Sequence, residues 1–86
     1  MKIYKYAILP TSPTKMPKGA RILNCGVQTE QPFVWALVNP VAPMETRNLR
    51  IFATGESFDP TGLTYIGTFH GIGGWMVFHL FEEDAR

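Results

Sequence analysis

The fold is decided by residues 20–38, which read ARILNCGVQTEQPFVWALV. Apolar and polar side chains alternate with a period of two through most of this stretch, and many of its residues are β-branched or aromatic, which is typical of β-strands. We predict one strand over residues 20–28, a short connection over residues 29–32 and a second strand over residues 33–38. The sequence therefore predicts a β-hairpin near the middle of the chain.

The two strands of this hairpin predict a core. A symmetric hairpin pairs Cys25 with Ala36 and Leu23 with Val38, so one face is continuous, small and apolar. The opposite face is half polar, yet it carries Trp35. We expect the first face to be buried and the second to be accessible.

The same alternation recurs outside the hairpin, at residues 2–9, 47–54, 63–69 and 75–81. Prolines and glycines separate these segments, and residues 11–19 are predicted to be a loop that ends in the turn Pro17-Lys18-Gly19. The predicted fold class is all-β, with about six short antiparallel strands in a meander that curls into a small sandwich or barrel.

Composition limits the class of protein. The chain has 86 residues, of which 45% are apolar and 17% charged, so we expect one ordered domain over residues 1–86 with an acidic tail, residues 82–86, that frays. The longest apolar run, residues 33–38, is far shorter than the roughly 20 residues that span a bilayer. A single cysteine excludes an internal disulfide and a cysteine-rich zinc site. We expect a soluble cytoplasmic protein without a membrane partner.

Charge is distributed unevenly along the chain. The net charge of +1 is too small for a protein that binds nucleic acid mainly through phosphate, and we expect no sequence-specific nucleic-acid partner. Residues 1–50 hold seven Lys or Arg and two acids, whereas residues 51–86 hold one Arg and five acids. This asymmetry fits a basic surface for a ligand, two halves of a contact between copies, or charges scattered over solvent-exposed faces.

The last predicted strand is apolar on both faces. Trp75 and Phe81 lie on one face, and Phe78 and Leu80 lie on the other. A strand of this kind must be covered on both sides, which six short strands cannot easily do in one layer. We therefore expect self-association into a homo-oligomer.

No catalytic or metal site is predicted. Ser12 and Ser57 lie in predicted loops without the context of a nucleophile, and Cys25 alternates with apolar neighbours, so it is expected to be buried and inert. His70 and His79 are nine residues apart and are predicted to lie at opposite ends of their strands. We expect no enzyme, metal or cofactor. A hydrolase acting on a nucleotide signal is the remaining enzymatic alternative.

Several side chains could contact a ligand. Arg47 and Arg50 present planar forks suited to phosphate or carboxylate, although charged residues that protect an edge strand explain them equally well. His79 is either a buried structural histidine or a polar group in an aromatic pocket. The turn His70-Gly71-Ile72-Gly73-Gly74 resembles an anion-binding nest only loosely and also fits a glycine-rich hairpin turn.

Several segments together carry a resemblance to a known family. They are Lys2-Ile3-Tyr4-Lys5-Tyr6, Met16-Pro17-Lys18-Gly19-Ala20-Arg21-Ile22-Leu23, Trp35-Ala36-Leu37-Val38, Glu45-Thr46-Arg47 with Arg50-Ile51, Thr54-Gly55, Tyr65-Ile66-Gly67-Thr68-Phe69 and Val77-Phe78-His79. Taken together, the chain resembles a family of short uncharacterised bacteriophage and prophage proteins. The resemblance implies a phage origin and a single compact domain, and it assigns no catalytic residue.

Two functional hypotheses follow by analogy with small phage accessory proteins. In the first, a homo-oligomer captures a small anionic ligand, such as a nucleotide-derived immune signal, at a subunit interface in the host cytoplasm. Aromatic rings would stack on the base and cations would hold phosphate. The candidate residues are Arg47, Arg50, Lys18, Trp35, Tyr65, Trp75, His79 and His70. In the second, the exposed edge of the first or fourth predicted strand pairs with a host protein and inhibits it.

Overall fold

A computed structural model describes residues 1–10, 12–71, 73 and 75–85. This part of the chain forms eight antiparallel strands and no helix, and so contains no helix that could cross a membrane. The strands are β1 (Lys2–Ala7), β2 (Thr14–Pro17), β3 (Arg21–Gln28), β4 (Gln31–Val38), β5 (Met44–Arg47), β6 (Leu49–Ala53), β7 (Leu63–His70) and β8 (Val77–Glu83). The predicted all-β class is confirmed, in the form of a small sandwich.

The strands are arranged in three small sheets. The first sheet has the order β1-β4-β3, the second has the order β6-β8-β7, and β2 and β5 form a two-stranded ribbon. In both three-stranded sheets the strand that comes last in the sequence lies in the centre. The hairpins β3–β4 and β7–β8 join neighbouring strands, and β1 and β6 each add to the free side of a hairpin. The order therefore differs from a plain meander.

The core lies between the two three-stranded sheets, where β3 packs against β7. Val34, Ala36 and Val38 of β4 are fully buried, as is Leu80 of β8. Gly67 of β7 approaches β3 so closely that a Cβ at this position would lie 2.8 Å from Sγ of Cys25. The inner faces of the two sheets thus meet, and their outer faces lie on opposite sides of the sandwich.

The β3–β4 hairpin has a shorter turn than its sequence predicts. Thr29 and Glu30 alone form the turn, with φ angles of 50° and 64°, as in the tight turns that match the twist of paired strands. Cys25 therefore lies opposite Val34 rather than Ala36. The shift is two residues, so the predicted faces are preserved. A bulge turns Leu23 out to solvent, 44% exposed, although we expected it in the core.

The segment predicted to be a loop at residues 11–19 contains a strand. In β2, Thr14 and Met16 are buried while Lys15 is exposed, and Met16 pairs with Glu45 of β5. Pro13 and Pro17 at the ends of this strand conceal it in the sequence, because proline usually marks an interruption of a sheet. The ribbon thereby contributes Met16 to the core.

The last strand begins and ends later than predicted. It starts at Val77 rather than at residue 75 and continues through Glu83, and the N–H of Asp84 donates to the carbonyl of Gly62 at 2.8 Å. Residues 82 and 83 of the tail that we expected to fray thus belong to the last strand. Arg86 lies outside the described residues.

The two histidines are closer together than expected. His79 lies opposite Thr68, and His70 lies opposite Val77. Both therefore occupy the outer face of the second sheet as diagonal neighbours, where Cα atoms are typically about 7–8 Å apart. The expectation that they lie at opposite ends of the strands is wrong.

Candidate functional site

The structure divides the eight candidate ligand residues between separate regions. By strand register, Trp35 lies on the outer face of the first sheet, whereas Arg50, Tyr65, His70 and His79 lie on the outer face of the second. These faces are on opposite sides of the sandwich. One copy of the chain does not bring the candidate residues together.

Arg47 is engaged in a structural contact. Its guanidinium makes a two-pronged ion pair with Glu82, with Nη2 2.9 Å from Oε1, and its Nη1 donates to the carbonyl of Ala20 at 2.8 Å. The side chain is 16% exposed, and the hydrogen bond to Glu82 raises the pKa of Arg47. This pair holds the ribbon against the second sheet. The guanidinium of Arg47, which we expected to bind phosphate, is therefore already bound to Glu82 and to the backbone.

Arg47 and Arg50 do not converge. The predicted strand over residues 47–54 is interrupted at Asn48, and the two arginines contact opposite faces of β8. Arg50 is half exposed, lies 5.4 Å from the ring centroid of Phe52 and comes within 3.9 Å of Glu83. The predicted arginine pair is thus two separate cations, each beside a carboxylate.

Lys18 lies beside acidic groups. Its backbone N–H donates to the carbonyl of Pro43 at 2.7 Å, and the N–H of the following Gly19 donates to Glu45 at 2.9 Å. The adjacent cleft, of about 620 Å³, is lined by four acids and one base: Glu45, Glu82, Glu83, Asp84 and Arg47. This cleft disfavours an anion.

The remaining clefts also offer little to an anion. The second, of about 650 Å³, lies between β6 and the following loop and contains Arg50 together with Glu56, Asp59 and Glu83. A hydrogen bond from the N–H of Thr61 holds the pKa of Asp59 below its usual value. The third, of about 430 Å³, is lined mainly by apolar side chains, among them Ile8 and Phe78.

Polar side chains on the outer face of the second sheet form hydrogen bonds with other groups of the protein. Thr54 Oγ1 donates to the carbonyl of Val77 at 3.3 Å and lies 2.7 Å from Nε2 of His79, and Nδ1 of His79 lies 2.9 Å from Oγ1 of Thr68. Oγ1 of Thr54 thus links one ring nitrogen of His79 to the carbonyl of Val77, and Oγ1 of Thr68 contacts the other ring nitrogen. The hydroxyl of Tyr65 forms a hydrogen bond with Oγ1 of Thr68 at 2.5 Å. All these hydroxyl and imidazole groups have partners without any ligand.

Aromatic rings cover the rest of that face. Phe58, from the loop after β6, stacks on Phe52 with ring centroids 3.9 Å apart, and Phe81 meets the edges of Phe52, Phe58 and Tyr65 at 5.3–5.7 Å. Trp75 lies outside this cluster, in the segment before β8, and is 84% exposed. Ile72 and Gly74 of the predicted anion nest lie outside the described residues.

The outer face of the first sheet is built differently. Phe33, Trp35 and Leu37 alternate along the central strand, and the register places Lys5 beside Trp35 and Arg21 beside Leu37. We call the outward residues of this sheet the Trp35 face: Ile3, Lys5, Arg21, Phe33, Trp35 and Leu37.

Close contacts fix the two rings of the Trp35 face. A Cβ on Gly26 would lie only 3.3 Å from the indole of Trp35, so this ring lies against the backbone of the neighbouring strand. Nζ of Lys5 lies 4.7 Å from the ring centroid of Phe33 and donates to Oε1 of Gln28 at 2.9 Å. The result is an aromatic surface with the ammonium group of Lys5 beside Phe33.

Charge further distinguishes the Trp35 face. Strands β1, β3 and β4 contain Lys2, Lys5 and Arg21 and no acid, and Glu30 lies in the turn that joins β3 to β4. Arg21 has no ion-pair partner among the described residues. Trp35 was predicted from the sequence, but Lys5 was not, because only the strand order reveals that β1 adjoins β4. Arg21 was missed because the predicted register, shifted by two residues, did not place it opposite Leu37.

Reactive and metal-binding groups are scarce in the described part of the chain. No group of three or more His, Cys, Asp or Glu residues is placed to hold a metal ion. The thiol of Cys25 is buried between the sheets, and this burial raises its pKa. The aromatic and cationic Trp35 face is therefore the leading candidate site.

Comparison with known proteins places the chain in a family. Residues 1–86 match the model of a domain of unknown function, DUF7352. The chain belongs to this family. No curated protein and no solved structure gives a significant match. Membership of DUF7352 covers the whole chain but carries no activity, so a function must be argued from the geometry.

Proposed function

We propose that this chain is a non-enzymatic, homo-oligomeric protein that captures a small anionic, nucleotide-like ligand on its Trp35 face, at an interface between copies. One observation carries the proposal: Trp35 and Phe33 share an outer face with Lys5 and Arg21, and the strands of that sheet contain no acid. A nucleotide has the complementary chemistry, an aromatic base joined to phosphate.

The proposed contacts follow from the positions of these side chains. The indole of Trp35 rests on Gly26 with one side and can stack on a base with the other. The fork of Arg21 has no ion-pair partner among the described residues and suits a phosphate. Lys5 adds a second cation, and its bond to Gln28 fixes where the charge lies.

The three clefts described above do not include the Trp35 face, which supports a site shared between copies. None of these clefts is lined by Trp35, Lys5 or Arg21. Small-molecule sites are usually concave and bury most of the ligand. A second copy that covers or extends the Trp35 face would supply the missing walls.

Phage origin and biological role are part of the same proposal. The resemblance to short phage proteins suggests that the ligand is a nucleotide signal of bacterial immunity, which the protein sequesters in the host cytoplasm. The Trp35 face carries no acid, histidine, serine or cysteine that could serve as a base or nucleophile. This composition favours binding over hydrolysis.

The test isolates the fluorescence of Trp35. In a Trp75→Phe background the only indole is Trp35, and titration with cyclic dinucleotides and ADP-ribose derivatives should quench or shift its emission. Replacing Lys5 and Arg21 together by Gln should weaken binding by at least about tenfold, since each charged contact contributes roughly 1.5–3 kcal/mol. The matched control, Arg50→Gln on the opposite face, should change affinity less than about twofold.

Two results would contradict this function. If no member of the panel changes the emission or the melting temperature, nucleotide capture is wrong. If Arg50→Gln weakens binding as much as the double substitution does, the site lies on the other face. Ligand recovered intact after prolonged incubation supports sequestration, whereas accumulation of a product supports the hydrolase alternative.

The second candidate function is inhibition of a host protein through a strand edge. The unpaired side of β1 favours it, because an exposed edge can accept another strand. A purified host partner that binds stoichiometrically, and that is displaced by a change on β1 but not by one at Arg21, would support this alternative.

A further inference from the structure

The outer edge of β1 is an unpaired row of backbone groups. β1 lies at the end of the first sheet, and β4 is its only partner strand among the described residues. The N–H of Ile8 donates to the carbonyl of Pro32 at 2.9 Å, in continuation of the same register. Since backbone bonding alternates along an antiparallel strand, even-numbered residues bond to β4, and Ile3, Lys5 and Ala7 direct their N–H and C=O groups to the open side.

The other edges of the two three-stranded sheets are protected. β3 has a bulge at Leu23, and the side chain of Asn24 accepts from the N–H of Cys25 at 2.9 Å. β7 has a bulge at Ile66, and β6 has only five residues with Arg50 among them. Bulges, short length and charge are the usual devices that prevent edge pairing. β1 has six regular residues and neither proline nor bulge.

Of the two lysines of β1, Lys2 lies at its first position and Lys5 is turned away from the edge. Nζ of Lys5 reaches across Phe33 to Gln28 of β3, on the far side of β4. Apolar side chains remain at the edge, with Ile3 62% and Tyr4 38% exposed. The edge is thus open, regular and partly apolar.

We propose that two copies of this chain pair antiparallel through β1, about a two-fold axis at Tyr4. This inference rests on the proposed function, because it specifies the interface at which the ligand is held. Ile3 of each copy then lies opposite Lys5 of the other, and these two pairs exchange four backbone hydrogen bonds. The two Tyr4 side chains meet on the axis, and a six-stranded sheet results.

The axis at Tyr4 is preferred over its neighbours. A two-fold axis at Lys5 would place the two Lys5 residues directly opposite each other, which is destabilising. An axis between Tyr4 and Lys5 would require opposite faces of the two sheets to adjoin, because side chains alternate with a period of two. Pairing at Tyr4 keeps both Trp35 faces on the same side.

This pairing joins the two Trp35 faces into one continuous surface. Following the register across the sheet, Trp35 and Lys5 of one copy continue into Ile3, Leu37 and Arg21 of the second. A strand spacing of about 4.8 Å and a rise of about 3.4 Å per residue place the Cα atoms of the two Trp35 residues about 16 Å apart. The second copy thus contributes an arginine to the row of side chains that begins at each Trp35.

The test uses proline at a position where it blocks only the outer edge. The N–H of Ile3 faces away from β4, so Ile3→Pro removes an outward donor and preserves the bonds to β4. Analytical ultracentrifugation of the unliganded protein should show a dimer whose dissociation constant rises at least about tenfold in Ile3→Pro. The control Ile3→Val retains the N–H group and should retain the dimer.

A second measurement needs no substitution. Amide exchange followed by NMR should show protection of Tyr4 and Tyr6 at every protein concentration, because they bond to β4. Protection of Ile3 and Lys5 should appear only as the dimer forms. Exchange at Ile3 and Lys5 that does not depend on concentration would overturn the β1 interface, as would a dimer that survives Ile3→Pro unchanged.

The outcomes separate this inference from the proposed function. A strict monomer that still binds nucleotide through Trp35 overturns the β1 pairing and leaves ligand capture standing. A β1-paired dimer that shows no response to nucleotides supports the interface and overturns ligand capture.

Discussion

The two three-stranded sheets share one plan, with the last strand in the centre, yet their outer faces are opposites. On the second sheet, a loop places Phe58 over Phe52, and a chain of hydrogen bonds runs from Tyr65 to Thr54 through His79. On the first sheet, Trp35 lies against Gly26 and Lys5 lies over Phe33, and neither ring pairs with another aromatic ring among the described residues. The aromatic rings on the outer face of the second sheet thus pack on one another, whereas Trp35 and Phe33 do not.

This difference predicts which outer face stabilises the fold and which one is available to bind a ligand. Aromatic rings that pack on one another stabilise the fold, because they remove apolar surface from water. Aromatic rings beside cations on an open face contribute less to stability and remain available for a ligand. Substitutions on the two faces should therefore separate stability from binding.

The largest expected effect comes from truncating one ring on each face. Phe81→Ala removes a ring that contacts Phe52, Phe58 and Tyr65 and should lower the free energy of unfolding by about 3 kcal/mol. Trp35→Ala should lower it by less, about 1–2 kcal/mol, because Trp35 takes part in no aromatic pair among the described residues. Urea denaturation measures both values, and equal losses would contradict the division between the faces.

The next largest effect concerns Arg47, which the sequence suggested as a ligand residue. Arg47→Met leaves the mostly buried carboxylate of Glu82 unpaired and should lower the free energy of unfolding by about 2 kcal/mol, less than for a fully buried pair. Nucleotide affinity should be unchanged. The double variant Arg47→Met, Glu82→Met should recover most of the loss, whereas a loss of affinity in Arg47→Met alone would restore this residue to the site.

The alternation of residues along each strand predicted which side chains are buried, but not which strands are neighbours. Burial of Cys25 and Val34 follows from a period of two within a few residues, and the structure places both in the core. The adjacency of Lys5 and Trp35 depends on a pairing across 30 residues of chain, in which β1 bypasses β3. The alternation of residues within a strand does not indicate which distant strand pairs with it, so Lys5 was not predicted as a site residue.

The contacts of the arginines were beyond sequence analysis for the same reason. Arg47 and Glu82 are 35 residues apart, and neither neighbourhood signals the other. Trp35 was proposed because a tryptophan on the half-polar face of a predicted hairpin is visible locally. The sequence thus predicted one ring of the candidate site, and the fold supplied the cations.

A smaller effect is expected in the turn that sets the register of the first sheet. Glu30 has a φ of 64°, a conformation that costs a residue with a Cβ about 1 kcal/mol relative to glycine. Glu30→Gly should therefore raise the free energy of unfolding by up to about 1 kcal/mol. Lys15→Gly, in the exposed position of β2, is the control and should lower it. A destabilised Glu30→Gly would contradict the two-residue turn.

The smallest expected effect is a pH dependence of stability that arises from Cys25, which is buried between the two sheets. Burial raises the pKa of Cys25 above its ordinary value of 9.0, so the folded protein retains the neutral thiol to higher pH than the unfolded chain does. The stability that this thiol contributes is complete below pH 9 and is lost as pH rises toward the pKa of the folded state. Between pH 8 and 9.5 the loss should be below about 1 kcal/mol. Burial also raises the pKa of Tyr6, so the measurement is the difference in pH dependence between the wild type and Cys25→Ala. If the two proteins lose stability equally as the pH rises, Cys25 is accessible to water between the two sheets.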